Sequence, residues 1–373
     1  MNFFSRWIEQ QGREITTQPL MIPVKGMQDA YIETEGLRKL GWRVLRRKLY
    51  LWANRQFQSY RQEIDPGWRK GLWIYFRTAQ IGDSLMDLSA RSFFVEKNCQ
   101  IDLWTSPLLA QLYQDDDWFQ AVHSDLQSMI GKDYDFIVVQ SMHHSALKMK
   151  VKHFPDLPWI CMQGFYDVPD FDRAPWGAQR LFDLYGEPKH PLRNWHGRQK
   201  LSARYLTPLT TKFRTTIVLG GMDPVRTFDN WPDVVKELVG SIGHEVTLIG
   251  TGTAAAHQAN QIKSLRLSKG VIDLVNQINI HDLIQILSET KLLLVADGGA
   301  MHLGVALEVP QIISLFIKGI PPDLRIPDEH RSLAITSQTG FIRDISTADV
   351  MAKIHLAISN DGMTLSNTLN MRQ

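Results

Sequence analysis

The chain has 373 residues, 44% of them hydrophobic and 21% charged, which is the composition of ordinary globular domains and the length of two. Disordered, collagen-like and coiled-coil chains are thereby excluded, and two cysteines (Cys99 and Cys161) are too few for a disulfide framework or a four-thiolate zinc site. The net charge of +2 hides an asymmetry: residues 1–70 carry thirteen Lys/Arg against seven Asp/Glu, so a basic front end precedes a mildly acidic body.

No apolar run reaches the roughly 18 residues that a membrane span needs. The N-terminus, MNFFSRWIEQQGRE, lacks an uninterrupted apolar core, so no signal peptide is expected and the protein is assigned to the cytoplasm. Between Glu35 and Glu63 there is no acid, whereas Arg38, Lys39, Arg43, Arg46, Arg47, Lys48, Arg55 and Arg61 all fall there. Trp42, Leu45, Leu49, Trp52 and Ala53 recur within it at spacings of three and four, one face of a helix. Such a helix either lies on an anionic membrane surface or packs its Trp stripe on the body and solvates its arginines. The second reading is favoured here, because charged runs usually mark solvated faces. No nucleic-acid motif accompanies the segment.

From residue 71 the pattern becomes alternating strands and helices. A strand at 72–76 (LWIYF) leads through Arg77-Thr-Ala-Gln-Ile-Gly-Asp83 into a helix at 84–94. A strand at 100–104, a helix ending before the acidic turn 115–117, and a strand at 136–140 (FIVVQ) follow. The Pro- and aromatic-rich stretch 155–208 reads as loops and a crossing between domains. A second series runs from 215–219 (TTIVL) through a helix at 231–240, a strand at 245–249, a helix at 254–264, a strand at 271–273 and a helix at 280–289. It closes with a strand at 292–296 (LLLVA), a short helix from Ala300 and a strand at 311–316. This order predicts an α/β protein of two facing Rossmann-like domains with a helical basic N-terminal extension, and ligands beyond the carboxyl ends of the strands.

Two strand-end turns stand out. In LLLVADGGAMHLG, two glycines follow Asp297 and a helix opens near Ala300. The N–H groups of Gly298, Gly299 and Ala300 suit a diphosphate. His302 would add a donor or a charge there, and Asp297 would bind a sugar hydroxyl, fix the loop, or simply cap the helix. The earlier turn, 77–83, leaves Asp83 at a helix entrance, either as a general base or as another cap. Other patterns are weaker. Gly250-Thr-Gly252 lacks the rest of a dinucleotide fingerprint, three scattered Asp-x-Asp matches (115–117, 133–135, 170–172) are inexpensive by chance, and adjacent His143 and His144 make a poor metal pair. No metal site is expected.

Taken together, Arg77-Thr78…Gly82-Asp83 and Asp297-Gly-Gly-Ala-Met-His302 resemble the ADP-heptose:lipopolysaccharide heptosyltransferase family, glycosyltransferase family 9. Asp102-Leu-Trp, Tyr134-Asp135 and Asn230-Trp231-Pro232 add to the likeness, which spans residues 70–357. The resemblance implies the GT-B arrangement, no metal and no cofactor, and inverting transfer of heptose from ADP-heptose to a lipopolysaccharide or related glycolipid hydroxyl. Asp83 would be the base. Asp297, Gly298, Gly299, Ala300, His302, Gly221 and Arg226 would hold the donor, and Arg77, Thr78 and Gly82 would lie on the acceptor side.

Three positions depart from the family pattern. Gly298 replaces its hydroxyl residue, Asp229 stands where its phosphate-binding lysine lies (with Arg226 three residues earlier), and Thr253-Ala-Ala-Ala occupies the place of its ribose-binding glutamate. The expected domains are a basic extension (1–69), an acceptor-side domain (70–210), a nucleotide-sugar domain (211–357) and a polar tail (358–373). Residues 37–62 would meet the inner face of the inner membrane. The alternatives are transfer to a protein or another polysaccharide from a different nucleotide sugar, and a glycosyltransferase-like binding protein without catalysis.

Overall fold

The computed structural model describes residues 3–16, 27–76, 80–129, 131–166, 172–187, 199–205, 214–221, 223–267 and 270–370. The chain divides into two compact units, Met1–Ser202 and Ala203–Gln373.

The first unit begins with three helices, α1 (Phe3–Thr16), α2 (Met27–Glu35) and α3 (Leu37–Ala53). It continues through β1 (Lys70–Tyr75), α4 (Ile81–Asp87), α5 (Ser92–Glu96), β2 (Gln100–Thr105), α6 (Pro107–Tyr113) and β3 (Ala121–His123). It ends with β4 (Phe136–Val139), α7 (His144–His153), β5 (Trp159–Cys161) and α8 (Arg173–Leu184). The strands form a parallel sheet in the order β3-β2-β1-β4-β5. The residues of β1 and β2 after their first are all buried, as expected where helices cover both faces of a parallel sheet.

The second unit holds β6 (Thr215–Val218), α9 (Trp231–Gly240), β7 (Val246–Ile249), α10 (Gly252–Ser264), β8 (Val271–Asp273), α11 (Ile280–Ser288) and β9 (Leu292–Ala296). After these come α12 (Gly299–Ala306), β10 (Gln311–Phe316), α13 (Asp328–Arg331), β11 (Ile335–Thr336) and α14 (Thr347–Asn370). Its parallel sheet runs β11-β10-β9-β6-β7-β8. Counted from β6 that is the 3-2-1-4-5-6 order of a Rossmann sheet, and the first unit has the same order with five strands. In both sheets the order reverses beside the first strand, so the loops after β1 and β4, and after β6 and β9, border the switch points where ligands settle.

Three local readings of the sequence are corrected. The stretch 155–208 contains β5 and α8, which a three-residue strand and a Trp/Gly-bearing helix do not advertise. The helix expected at 84–94 is two helices joined by a tight turn at 89–91. That turn seats fully buried Arg91 on Asp116, with Nη1 donating to Leu88 O at 2.9 Å and Nη2 to Lys200 O at 2.7 Å. Asp116 is the middle residue of the Asp-x-Asp match at 115–117, and its carboxylate serves the buried ion pair with Arg91.

The third correction concerns the front helix. The inward face of α3 is Leu40, Gly41, Val44 and Leu51, whereas Trp42, Leu49 and Trp52 are 50%, 60% and 72% exposed. Leu51 joins the sheet core with Leu72, Ile74 and Trp159, and burying one such leucine stabilises by about 1.5–3 kcal/mol. The helix is apolar on two sides, and the core takes the one without tryptophan. Behind α3 the chain pairs with the sheet edge: Trp159 N donates to Ser59 O and Arg61 N to Trp159 O. This covers the open side of β5.

Candidate active site

At the switch point of the second unit, β9 ends at Ala296, and Asp297 N donates to Leu315 O of β10 at 2.9 Å. Asp297 is 5% exposed. Gly298, with an extended backbone, is the cap of α12 and provides no side-chain bond. Asp297 is therefore not the helix cap. The first N–H groups of α12 keep the polarity that favours an anion at that end. His302 is buried one turn in, its Nε2 3.9 Å from Asp297 Oδ1. Its backbone N–H is bonded to Gly298 O.

The loop after β6, the neighbour of β9, comes to the same place. Gly220 takes φ +71°, and a Cβ there would lie 2.8 Å from Ala255 N, so only glycine fits. Gln258 of α10 clasps the loop, accepting from Gly220 N at 2.9 Å and donating to Phe228 O at 2.7 Å. Gly221 is exposed and has room for a side chain. Asp223 caps a short turn at 224–226, accepting from Val225 N. That turn aims Arg226 back at the end of β9: Nη1 lies 3.3 Å from Asp297 Oδ2 and 3.2 Å from Asp297 O. The Arg226 side chain remains 35% exposed. A cation and a helix N-terminus thus converge, which suits a diphosphate, and the buried carboxylate of Asp297 holds the cation there.

In the first unit, Asp83 lies in the first turn of α4, whose cap is Gln80, so Asp83 is not a cap either. Buried Gly82 precedes it. Asp83 is ion-paired with Arg173 at the start of α8, and Arg173 Nη1 is also 3.2 Å from both oxygens of Asp87. Asp87 has no exposed side chain and additionally accepts from Tyr75 Oη at 2.9 Å and Gln163 Nε2 at 3.3 Å. Burial works against the Arg173 charge, but Asp87 and Asp83 outweigh it and hold the guanidinium protonated. Burial, and then Asp87, keep the Tyr75 phenol neutral. Arg77 and Thr78 lie outside the described residues.

Residues 226–355 match the family model described as glycosyltransferase family 9 (heptosyltransferase). Over this segment the chain is similar to glycosyltransferase family 9. No curated protein matches by sequence. Among solved structures, E. coli heptosyltransferase WaaC with ADP is similar at 14% identity and TM-score 0.62, over 77% of this chain and 99% of that one. E. coli ADP-heptose lps heptosyltransferase II is similar at 16% and 0.58 (79% and 99%), and a family 9 glycosyltransferase from Veillonella parvula at 12% and 0.59 (80% and 100%). These likenesses concern the fold, which is the α/β GT-B type with a helical N-terminal part.

The matched segment contains Arg226, Asp229, Asp297 and His302. Asp229, in place of the family lysine, is an exposed turn residue, and the cation that reaches the Asp297 turn is Arg226. In the Ala-rich segment, Ala255 packs under Gly220 and Gly250, where any side chain would collide: a Cβ on Gly250 would meet Leu219 O at 2.5 Å. Gly250 therefore serves the close approach of two loops, while Gly252 takes φ +89° and its N–H donates to Asn276 Oδ1. The landmarks Asp102 and Tyr134 meet in the first unit, with Tyr134 Oη donating to Asp102 Oδ2 at 2.7 Å. Arg173, Asp87, Tyr75, Gln163 and Gln258 were not singled out from the sequence. Asp87 alone left a trace, one helical turn after Asp83.

Proposed function

We propose that this glycosyltransferase moves a heptose from ADP-heptose to a hydroxyl of a lipopolysaccharide or related glycolipid, with inversion and without a metal or other cofactor. The observation that carries the reading is the convergence of Arg226, Asp297 and the α12 N-terminus at the switch point of the second unit. ADP is bound by WaaC, whose fold this chain shares.

In this reaction Asp83 takes the proton of the acceptor hydroxyl while its oxygen forms the new bond to the anomeric carbon. The bond from that carbon to the phosphate oxygen breaks, and the electron pair leaves on the diphosphate. Arg226 and the first N–H groups of α12 stabilise the charge as it builds there, which is where fixed donors act most strongly. Asp297 orients Arg226 and the donor sugar, with buried His302 beside it, while Gly298, Gly299, Ala300 and Gly221 admit the diphosphate to the backbone. Arg77, Thr78 and Gly82 border the acceptor. A membrane-borne acceptor gives the basic segment 37–62 a role, holding a cytoplasmic enzyme on the inner face of the inner membrane.

Mass spectrometry of products from a panel of nucleotide sugars, with lipopolysaccharide-core, protein and polysaccharide acceptors, tests the reading. Transfer of heptose to the core is the expected result, and transfer from another donor or to another polymer would replace it. Gly298 and the Ala-rich α10 entrance favour keeping a different nucleotide as the second reading. A chain that binds ADP yet neither transfers nor hydrolyses any donor would be a binding protein.

A further inference from the structure

The helices α1 and α3 lie against each other with backbones in contact. A Cβ on Gly12 would meet Leu37 O at 2.3 Å, and one on Gly41 would meet Ile8 O at 2.0 Å. Ile8, Leu40 and Val44 are buried, so the pair turns one side to the body and leaves the other outside. That outer side carries Phe3, Phe4, Trp7, Trp42, Leu49 and Trp52, between 39% and 85% exposed. Phe4 bridges the helices, its ring 6.0 Å from that of Trp7 and 6.2 Å from that of Trp42. Beyond Phe57, the exposed large hydrophobics among the described residues are spread singly from Val95 to Leu356. The patch is thus a local feature of these two helices.

Its charge is one-sided on α3, whereas α1 carries Arg6 and Arg13 beside Glu9 and Glu14. Arg6, Arg38, Arg46 and Arg55 are exposed among the aromatic residues, and 36–62 contains no acid. Glu35, at the edge, is held by Lys39 at 2.8 Å and Arg43 at 3.1 Å. The field extends to α7, where burial first, and then Lys148, Arg46 and Arg47, disfavour protonation of His144. A protein interface places apolar residues at its centre and thins out charge there. Here arginines alternate with tryptophans, whose rings combine an apolar body with a polar N–H and settle at the headgroup level of a bilayer.

We propose that α1 and α3 together form a docking face for an anionic lipid bilayer and lie in the plane of its headgroups. The aromatic residues enter the acyl boundary while the arginines remain among the phosphates. The inference deepens the membrane role given above to residues 37–62: it adds α1, and it rests on the exposed aromatic residues and the arginines between them, independently of the transfer reaction.

The test is co-sedimentation of the full chain with vesicles of phosphatidylglycerol and phosphatidylcholine, compared with phosphatidylcholine alone, at low and high salt. Binding is expected to the anionic vesicles at low salt, with loss on neutral vesicles and at high salt. Phe4→Ser/Trp7→Ser and Trp42→Ser/Trp52→Ser are each expected to weaken partitioning at least about tenfold. Arg38→Glu/Arg46→Glu, which keeps every apolar group, is expected to do the same. Thermal melting and ADP binding report whether each variant is folded and whether the donor reading holds independently. Failure of the folded parent chain to bind anionic vesicles overturns the proposal, as does binding that folded α1 and α3 variants retain. Self-association of the chain that the same variants abolish would reassign the face to a second copy and likewise overturn it.

Discussion

Arg226 and Asp297 are separated by 71 positions in sequence, yet the Arg226 guanidinium contacts both the carboxylate and the backbone carbonyl of Asp297. The contact ties the loop after β6 to the loop after β9, two strands that pair directly. It brings to the turn before α12 a cation that Asp229, at the family's lysine position, cannot supply.

Replacing Arg226 with Ala is therefore expected to weaken ADP binding. A hydrogen bond to a charged group contributes about 1.5–3 kcal/mol, or about a 10- to 150-fold change in affinity. Lysine should restore part of the loss, as charge without the fork. Calorimetric titration with ADP measures both, and an unchanged affinity for the Ala variant removes Arg226 from the donor site.

Asp83→Asn should leave ADP affinity intact and lower turnover by about 10²–10⁴, the usual contribution of a positioned general base. Steady-state release of nucleotide from the donor with an excess of acceptor gives the number. Turnover within about threefold of the parent would transfer the base role to another group.

Arg173 bridges Asp83 and Asp87, and the Asp87 side chain has no exposed surface. Arg173→Met leaves that carboxylate buried without its cation, and removing one partner of a buried pair costs about 3–5 kcal/mol. Adding Asp87→Asn to the same chain should return part of the loss, because the uncompensated charge is gone. Urea denaturation of the two single variants and the double variant reads the coupling.

Lys150 provides the pH prediction. It is fully buried on α7 and donates to the side chain of Gln56 and to Pro155 O, fastening the chain after α3 to the end of α7. Burial brings its ammonium down from 10.5 to about 8, against a small opposing pull from Asp156. Below that value both folded and unfolded chains hold the proton and the burial penalty is fully present. Between about 8 and 10.5 the unfolded chain binds more protons, so this group makes stability rise with pH across that window. Denaturation at about pH 7.5 and about pH 10 should show a difference that Lys150→Met flattens.

The parallel strands were visible in the sequence because both of their faces are covered. LWIYF, FIVVQ and LLLVA are unbroken apolar runs ending at polar turns, and the sheets begin and end where those runs do, within a residue or two. β5 and α8 were not visible, since three residues show no period and Trp176 and Gly177 blur a helix pattern. α3 was visible as a helix but not by its orientation. Both of its faces carry apolar residues, and only the fit of Leu40 and Val44 against Tyr31 and Phe165, and of Leu51 in the sheet core, selects between them.

The candidate site divides along the same line. Local spacing identified Asp83, Asp297, Gly298 and Gly299 one by one, because a strand end followed by small residues and a helix start is a contiguous signal, whereas Arg226 entered only through the family resemblance. Arg173 lies 90 positions from Asp83, and Gln258 lies 38 from Gly220. Hydrogen-bond and charge partners at such distances depend on strand order, which no window of sequence contains.

By itself, then, the sequence determined the β/α alternation, the basic front end and the chemistry available at each strand end. These follow from residue type and period over a few neighbours. The tertiary structure decided that Arg226 serves Asp297, that Arg173 and Asp87 stand behind Asp83, and that the tryptophans of α3 look outward. Each of those depends on which non-adjacent segments the folded sheets bring within a few ångströms of one another.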